Sequence, residues 1–106
     1  MNLHQEFNEE ILAWVESVGG GYIWEPEVFA VTLLGVDLSE YGHSKLLGLE
    51  GVRQIAVDVG SLPVSALNSL SRIPGLSSLV LRGGSLSVED VESLGAGGAK
   101  IELIDR

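Results

Sequence analysis

The chain has no cysteine, two histidines, one methionine and six lysines plus arginines in 106 residues. The first absence excludes a disulfide framework, a thiolate zinc site and a cysteine nucleophile. His4 and His43 stand alone, with no second histidine at helical spacing, so a histidine-based metal centre has no ligand set. No apolar run approaches the roughly 20 residues of a membrane helix. Residues 1–18 carry Glu6, Glu9, Glu10 and Glu16 and no lysine or arginine, unlike a secretory or transit peptide. These gaps lead us to expect a soluble cytoplasmic protein, read here as bacterial.

Positive charge is scarce and unevenly placed. Of the formal net charge of −9, residues 1–40 hold −8 (eight acids, no base), while residues 41–106 hold seven acids and six bases. Nucleic acid is a poor partner for such a chain, because binding it requires a basic face. A basic protein partner is compatible with it. The simpler alternative is that the acidity keeps a small protein soluble.

What the sequence does have is self-similarity. Shifted by 24, it aligns Val28, Val52, Leu76 and Lys100, then Val31, Ile55, Leu79 and Leu103, then Leu33, Val57, Leu81 and Asp105, with no insertion from Val28 to Arg106. Leu38, Leu62 and Leu86 follow in register, as do Leu46, Leu70 and Leu94, and the small residues Gly51, Gly75 and Ala99. Apolar residues two apart share one face of a strand. Later in each unit Ala66, Leu67 and Leu70, and Val88, Val91 and Leu94, follow helical spacing. Pro63 suits the start of one helix and Ser87 with Asp90 a capping box at the next. One strand and one helix cannot bury their apolar faces alone; stacked neighbours can.

The run Val28-x-x-Val31-x-Leu33-x-x-Val36-x-Leu38 and its two successors resemble the leucine-rich-repeat family, whose signature is L-x-x-L-x-L-x-x-N/C-x-L. The family's Asn or Cys position holds Val36, Gly60 and Gly84 instead. The resemblance implies an α/β fold, a short right-handed β-α superhelix with repeats at 28–51, 52–75 and 76–99 and a partial one at 100–106. Ahead of it, Leu3, Phe7, Ile11, Trp14 and Val18 form the stripe of an amphipathic helix whose other face carries the four glutamates. Gly19-Gly20-Gly21 ends that helix, and Tyr22-Ile23-Trp24 reads as a strand returning through Glu25-Pro26-Glu27. Residues 1–27 are therefore expected to be a helix-plus-hairpin cap. Trp14 and Trp24 are expected in its core. At the far end Lys100 and Asp105 take core positions, where charge discourages edge pairing.

Nothing marks an active site. The three glycines precede a strand and are followed by no lysine, the reverse of a phosphate loop, and no serine sits in a nucleophile elbow. We expect no enzyme, cofactor or metal. Alternation places Ala30, Thr32 and Leu34, then Gln54, Ala56 and Asp58, then Ser78, Val80 and Arg82, then Glu102, Ile104 and Arg106 on the concave sheet face. Thr32, Ala56, Val80 and Ile104 would form one column across it, and Leu34, Asp58, Arg82 and Arg106 another. The expected function is a non-catalytic protein-binding module using that face, of the kind seen in a small acidic inhibitor or immunity protein. Glu6, Glu9, Glu10 and Glu16 would steer a basic partner. The chain is expected to be a monomer or weak homodimer; the alternative functions are a self-associating scaffold or structural leucine-rich-repeat protein and, last, an enzyme's accessory subunit.

This register places Leu79 inside and Ser78 outside. Leu79→Ala should therefore cost about 2–5 kcal/mol, while Ser78→Ala stays within about 0.5. Coincident thermal melts of the two variants would show the register to be wrong.

Overall fold

A computed structural model describes residues 3–25, 28–36, 44–59, 62–83, 87–96 and 98–104, with side chains from Asn8 onward. Helix α1 (Leu3–Ser17) leads into strand β1 (Gly21–Glu25), which pairs antiparallel with β2 (Val28–Leu33). Three parallel strands follow: β3 (Gln54–Asp58), β4 (Ser78–Arg82) and β5 (Lys100–Ile104). The sheet runs β1-β2-β3-β4-β5 in chain order. Residues 44–46 make one helical turn between β2 and β3, and helices α2 (Val64–Ser71) and α3 (Val88–Gly95) make the next two crossovers.

Alternation sets the two faces. Phe29, Val31, Leu33, Ile55, Val57, Leu79 and Leu81 are buried on the helix side, with Ile101 packed against them. Leu46, Leu70 and Leu94, one from each connection, meet them there. Val31 pairs with Ile55 and Ile55 with Leu79, partners 24 residues apart. Gly51 and Gly75 adopt φ of +81° and +84°, a left-handed turn that sends the following Val52 and Leu76 inward. Ser87 and Asp90 form the expected capping box on α3, while Pro63 takes the N-cap position of α2, one residue outside the helix. Val36 is buried, whereas Gly60, Gly84, Leu38 and Leu86 lie outside the described residues.

Three expectations need correction. The first is the register of β5: Leu79 pairs with Ile101 and Leu81 with Leu103, an offset of 22 rather than 24. Gly98, at φ +102°, turns Ala99 inward as Gly75 does Leu76, but only two residues separate Ala99 from Ile101 where three separate Leu76 from Leu79. The last unit is shorter, so Lys100 stands beside Ser78 on the outer face rather than in a core position. Leu103, now at the open end, is 55% exposed. Asp105 lies outside the described residues.

The second is Val28, which is 47% exposed. Unlike Val52 and Leu76 it already belongs to a strand, paired with Glu25, and alternation turns it outward; Phe29 goes inward in its place. The third concerns the cap. Leu12 and Val15 are buried and Ile11 and Trp14 pack against the core, but Val18 follows the helix and is exposed. Trp14 also has the Lys45 ammonium over its ring, 5.8 Å from the centroid. Trp24 is 36% exposed and stacks on Phe29 at 5.5 Å between centroids. The side chains of Leu3 and Phe7 lie outside the described residues.

Two close fits seat the cap. Gly20 lies where an added Cβ would come within 2.7 Å of both Leu33 Cδ2 and Thr32 O and 2.9 Å of Val15 Cγ1, so only glycine lets helix and strand approach this closely. Asn8, buried on α1, donates from Nδ2 to Glu50 O at 2.9 Å and accepts from Glu50 N–H at Oδ1 at 3.0 Å. Its amide thus completes both hydrogen-bonding groups of one loop residue. Asn8→Ala strands that pair, and leaving buried polar groups unmade costs about 1–3 kcal/mol. We expect a lowered melting temperature for Asn8→Ala and a nearly equal loss for Asn8→Asp, which cannot donate. A melt of Asn8→Asp matching the unchanged chain would refute the two-bond role.

Candidate functional site

The helices and the core lie on one side of the sheet, leaving its other face open. That face carries Ile23 from β1, Ala30 and Thr32 from β2, Gln54, Ala56 and Asp58 from β3, Ser78, Val80 and Arg82 from β4, and Lys100, Glu102 and Ile104 from β5. A shift of two residues preserves parity, so Glu102 and Ile104 stay on the expected face but change column. Glu102 stands beside Val80 and Ile104 beside Arg82. The columns are therefore Thr32–Ala56–Val80–Glu102 and Asp58–Arg82–Ile104, with Leu34 just beyond the paired part of β2. The expected column of Thr32, Ala56, Val80 and Ile104 does not form, and Arg106 lies outside the described residues.

Small side chains in the middle of this face and larger ones around it leave a hollow. Tyr22, Ile23, Ala30, Val31, Thr32, Leu34, Gln54, Ala56 and Val80 line a depression of about 470 Å³. Ala56 and Val80 form its floor and are buried beneath their neighbours, while Ile23 stands at its edge, 54% exposed. Tyr22 and Ile23 were missed as site residues; the hairpin register places Ile23 opposite Ala30, which alternation had already put on this face. A smaller hollow of about 230 Å³ lies at the other end of the hairpin, among Trp24, Glu25, Val28, Phe29, Glu50, Gly51 and Arg53.

One charged group braces the face. Arg82 donates from Nε to Asp58 Oδ1 at 2.6 Å and from an Nη to Oδ2 at 2.9 Å, a bidentate pair across adjacent strands. Asp58 Oδ2 also accepts the Gly35 N–H, so one carboxylate ties together β3, β4 and the turn after β2. The Arg82 hydrogen bonds, against a partial offset from burial and with help from Gly35, hold the Asp58 carboxyl below the usual range. The same pairing raises Arg82. A carboxylate kept ionised in this way is a brace and a poor proton acceptor. Lys100 and Glu102 form a second, exposed pair at 3.5 Å.

The acids expected to steer a partner sit elsewhere. Glu9, Glu10 and Glu16 are exposed on α1, which packs on the helix side; the Glu6 side chain lies outside the described residues. They reach the rim of the depression at one point. The charge of Glu16, with burial, a hydrogen bond to Glu16 and the charge of Glu9 behind it, raises the Tyr22 phenol above its ordinary value. His43 lies outside the described residues, and among those described no group of three His, Cys, Asp or Glu side chains is placed to hold a metal ion.

The chain matches no protein-family model, no curated protein and no solved structure. What it defines on its own geometry is an α/β protein with a five-stranded sheet, one face of which carries no helix among the described residues. No helix of the described residues is long and apolar enough to cross a membrane.

The brace has a pH signature. A folded-state pKa below the unfolded value of about 4 makes the Asp58 contribution complete above that value and loses it as pH falls through the lower folded pKa. The gap in melting temperature between the unchanged chain and Asp58→Asn should therefore be widest near neutrality and close as the solution is taken well below about pH 4. A gap that stays constant across that range would contradict the assignment.

Proposed function

We propose that this chain is a leucine-rich-repeat solenoid, a short right-handed superhelix serving as a non-catalytic protein-binding module, cytoplasmic and bacterial. The observation that carries the reading is the helix-free face with its apolar depression over Ala56 and Val80, braced by Asp58 and Arg82. Solenoids bind through extended sheet faces of this kind. An apolar hollow ringed by a few fixed polar groups suits one side chain of a partner better than a reaction. The described ionisable groups of the face are engaged in pairs, so none is poised as a general base.

The partner best matched by the chain is a basic protein, with the acids of α1 acting over distance and the open face acting on contact. Small size and one-sided acidity favour an inhibitor of immunity type. A field of this sign mainly raises association rates, and at physiological salt it reaches about 8 Å. Nucleic acid is repelled by it.

A photo-crosslinking residue at exposed Thr32 should trap a defined protein in the source cell, and one at exposed Ser65, on the outer side of α2, should not. With that partner purified, Glu9, Glu10 and Glu16 changed together to Lys should slow association at low salt, while Thr32→Arg should shorten the lifetime of the complex. Equal trapping from both positions would reject the open face as the binding surface. Association indifferent to salt and to the α1 reversals would reduce the acidity to a solubility device.

A further inference from the structure

The two edges of the sheet differ. At one edge, β1 lies beside α1, among acids that no lysine or arginine in the first 40 residues offsets. At the other, among the described residues, no strand pairs with β5 beyond β4. The Lys100 N–H donates to Ser77 O at 2.8 Å and Ile104 O accepts from Gly83 N–H at 3.4 Å, so the even-numbered residues of β5 direct their backbone groups toward β4. By alternation Ile101 and Leu103 direct theirs to the open edge, an unpaired template for another strand. On β5 itself stands Leu103, 55% exposed.

We infer that this edge pairs with the same edge of a second copy, β5 against β5, antiparallel about a two-fold axis at Ile101. The charge pattern selects both the partner and the register. With the axis at Ile101, the outward-directed Ile101 faces its own copy in a hydrogen-bonded pair and Leu103 faces Ala99. Lys100 then faces Glu102, twice, in the non-hydrogen-bonded positions where cross-strand side chains are closest. An axis at Glu102 would set carboxylate against carboxylate, and one at Leu103 would put Glu102 opposite Ile104. Only the Ile101 axis pairs both charges. The two helix layers then fall on the same side, and Leu103 of each copy is covered at the seam. The two open faces join into one surface of ten strands. The charges on this edge are thus self-complementary. This association is independent of the protein-binding reading and stands or falls on its own test.

The test is light scattering with size-exclusion chromatography on the full chain over a range of concentrations, with thermal melts as the control for folding. The unchanged chain should approach twice its 11.2 kDa mass as concentration rises. Lys100→Glu and Glu102→Lys, each of which sets like charges opposite one another, should each weaken the dimer by about tenfold or more without lowering the melt. The double variant Lys100→Glu/Glu102→Lys should restore it. So should an equimolar mixture of the two single variants, since each supplies the charge the other lacks. Leu103→Pro, which removes an N–H directed away from β4, should abolish dimerisation. A chain that stays monomeric at every concentration overturns the proposal. So do single reversals that dimerise as well as the unchanged chain, a double variant that fails to recover, and assemblies that grow past two.

Discussion

A parallel strand carrying two or three aliphatic side chains on its inner face cannot hold itself together, and every other feature of this fold answers that constraint. Burying one such side chain contributes about 1.5–3 kcal/mol, against a backbone ordering cost of about 1–2 kcal/mol for each residue fixed. A single strand and its short helix therefore lose, and stability comes from contact with the neighbouring strands and their helices. Val31 on Ile55 on Leu79, and Leu46, Leu70 and Leu94 in the layer above, supply that contact. The glycines at 51, 75 and 98 serve it by turning the residue after each of them inward. Helix α1 serves it too, by adding Leu12 and Val15 to the same core.

Because the constraint acts through spacing, much of the fold was legible as spacing. The period of two marked the inner face of each strand, the period of 24 marked which strands meet, and the burial of Leu70 and Leu94 follows from both. The errors fall where spacing changes or a polar group decides. The 24-residue shift aligns Leu103 with Leu79 as one leucine with another, and that likeness hid the local shortening between Ala99 and Ile101. The better signal was Gly98-Ala99, an inward-turning pair one place earlier than expected. Val28 was misread because its alignment with Val52 ignores that β2 begins at Val28 itself, with β1 already beside it. Asn8 was passed over as one more polar residue on a helix, since nothing local announces that its amide meets Glu50.

The candidate site was legible to the same degree and for the same reason. Parity alone assigns Thr32, Gln54, Ala56, Asp58, Ser78, Val80 and Arg82 to the open face, and parity is indifferent to a shift of two, so Glu102 and Ile104 stayed on it while changing neighbours. The Asp58–Arg82 pair could be foreseen because the two lie 24 apart, but the Gly35 N–H could not, since it depends on a turn lying beyond the paired strand. The contribution of β1 needed the register of an antiparallel hairpin, and that depends on a connection rather than on the repeat.

The Asn8 clamp also bears on the order in which the chain can complete itself during synthesis. Its partner Glu50 lies 42 residues downstream, past the whole of β1 and β2. Helix α1 leaves the ribosome before Glu50, yet its buried amide finds no backbone partner until the loop before β3 has followed it out. At about 5–20 residues per second that interval is a few seconds. Throughout it the apolar stripe of the helix has only the nascent hairpin for cover, and an element made early is locked only when Glu50 arrives.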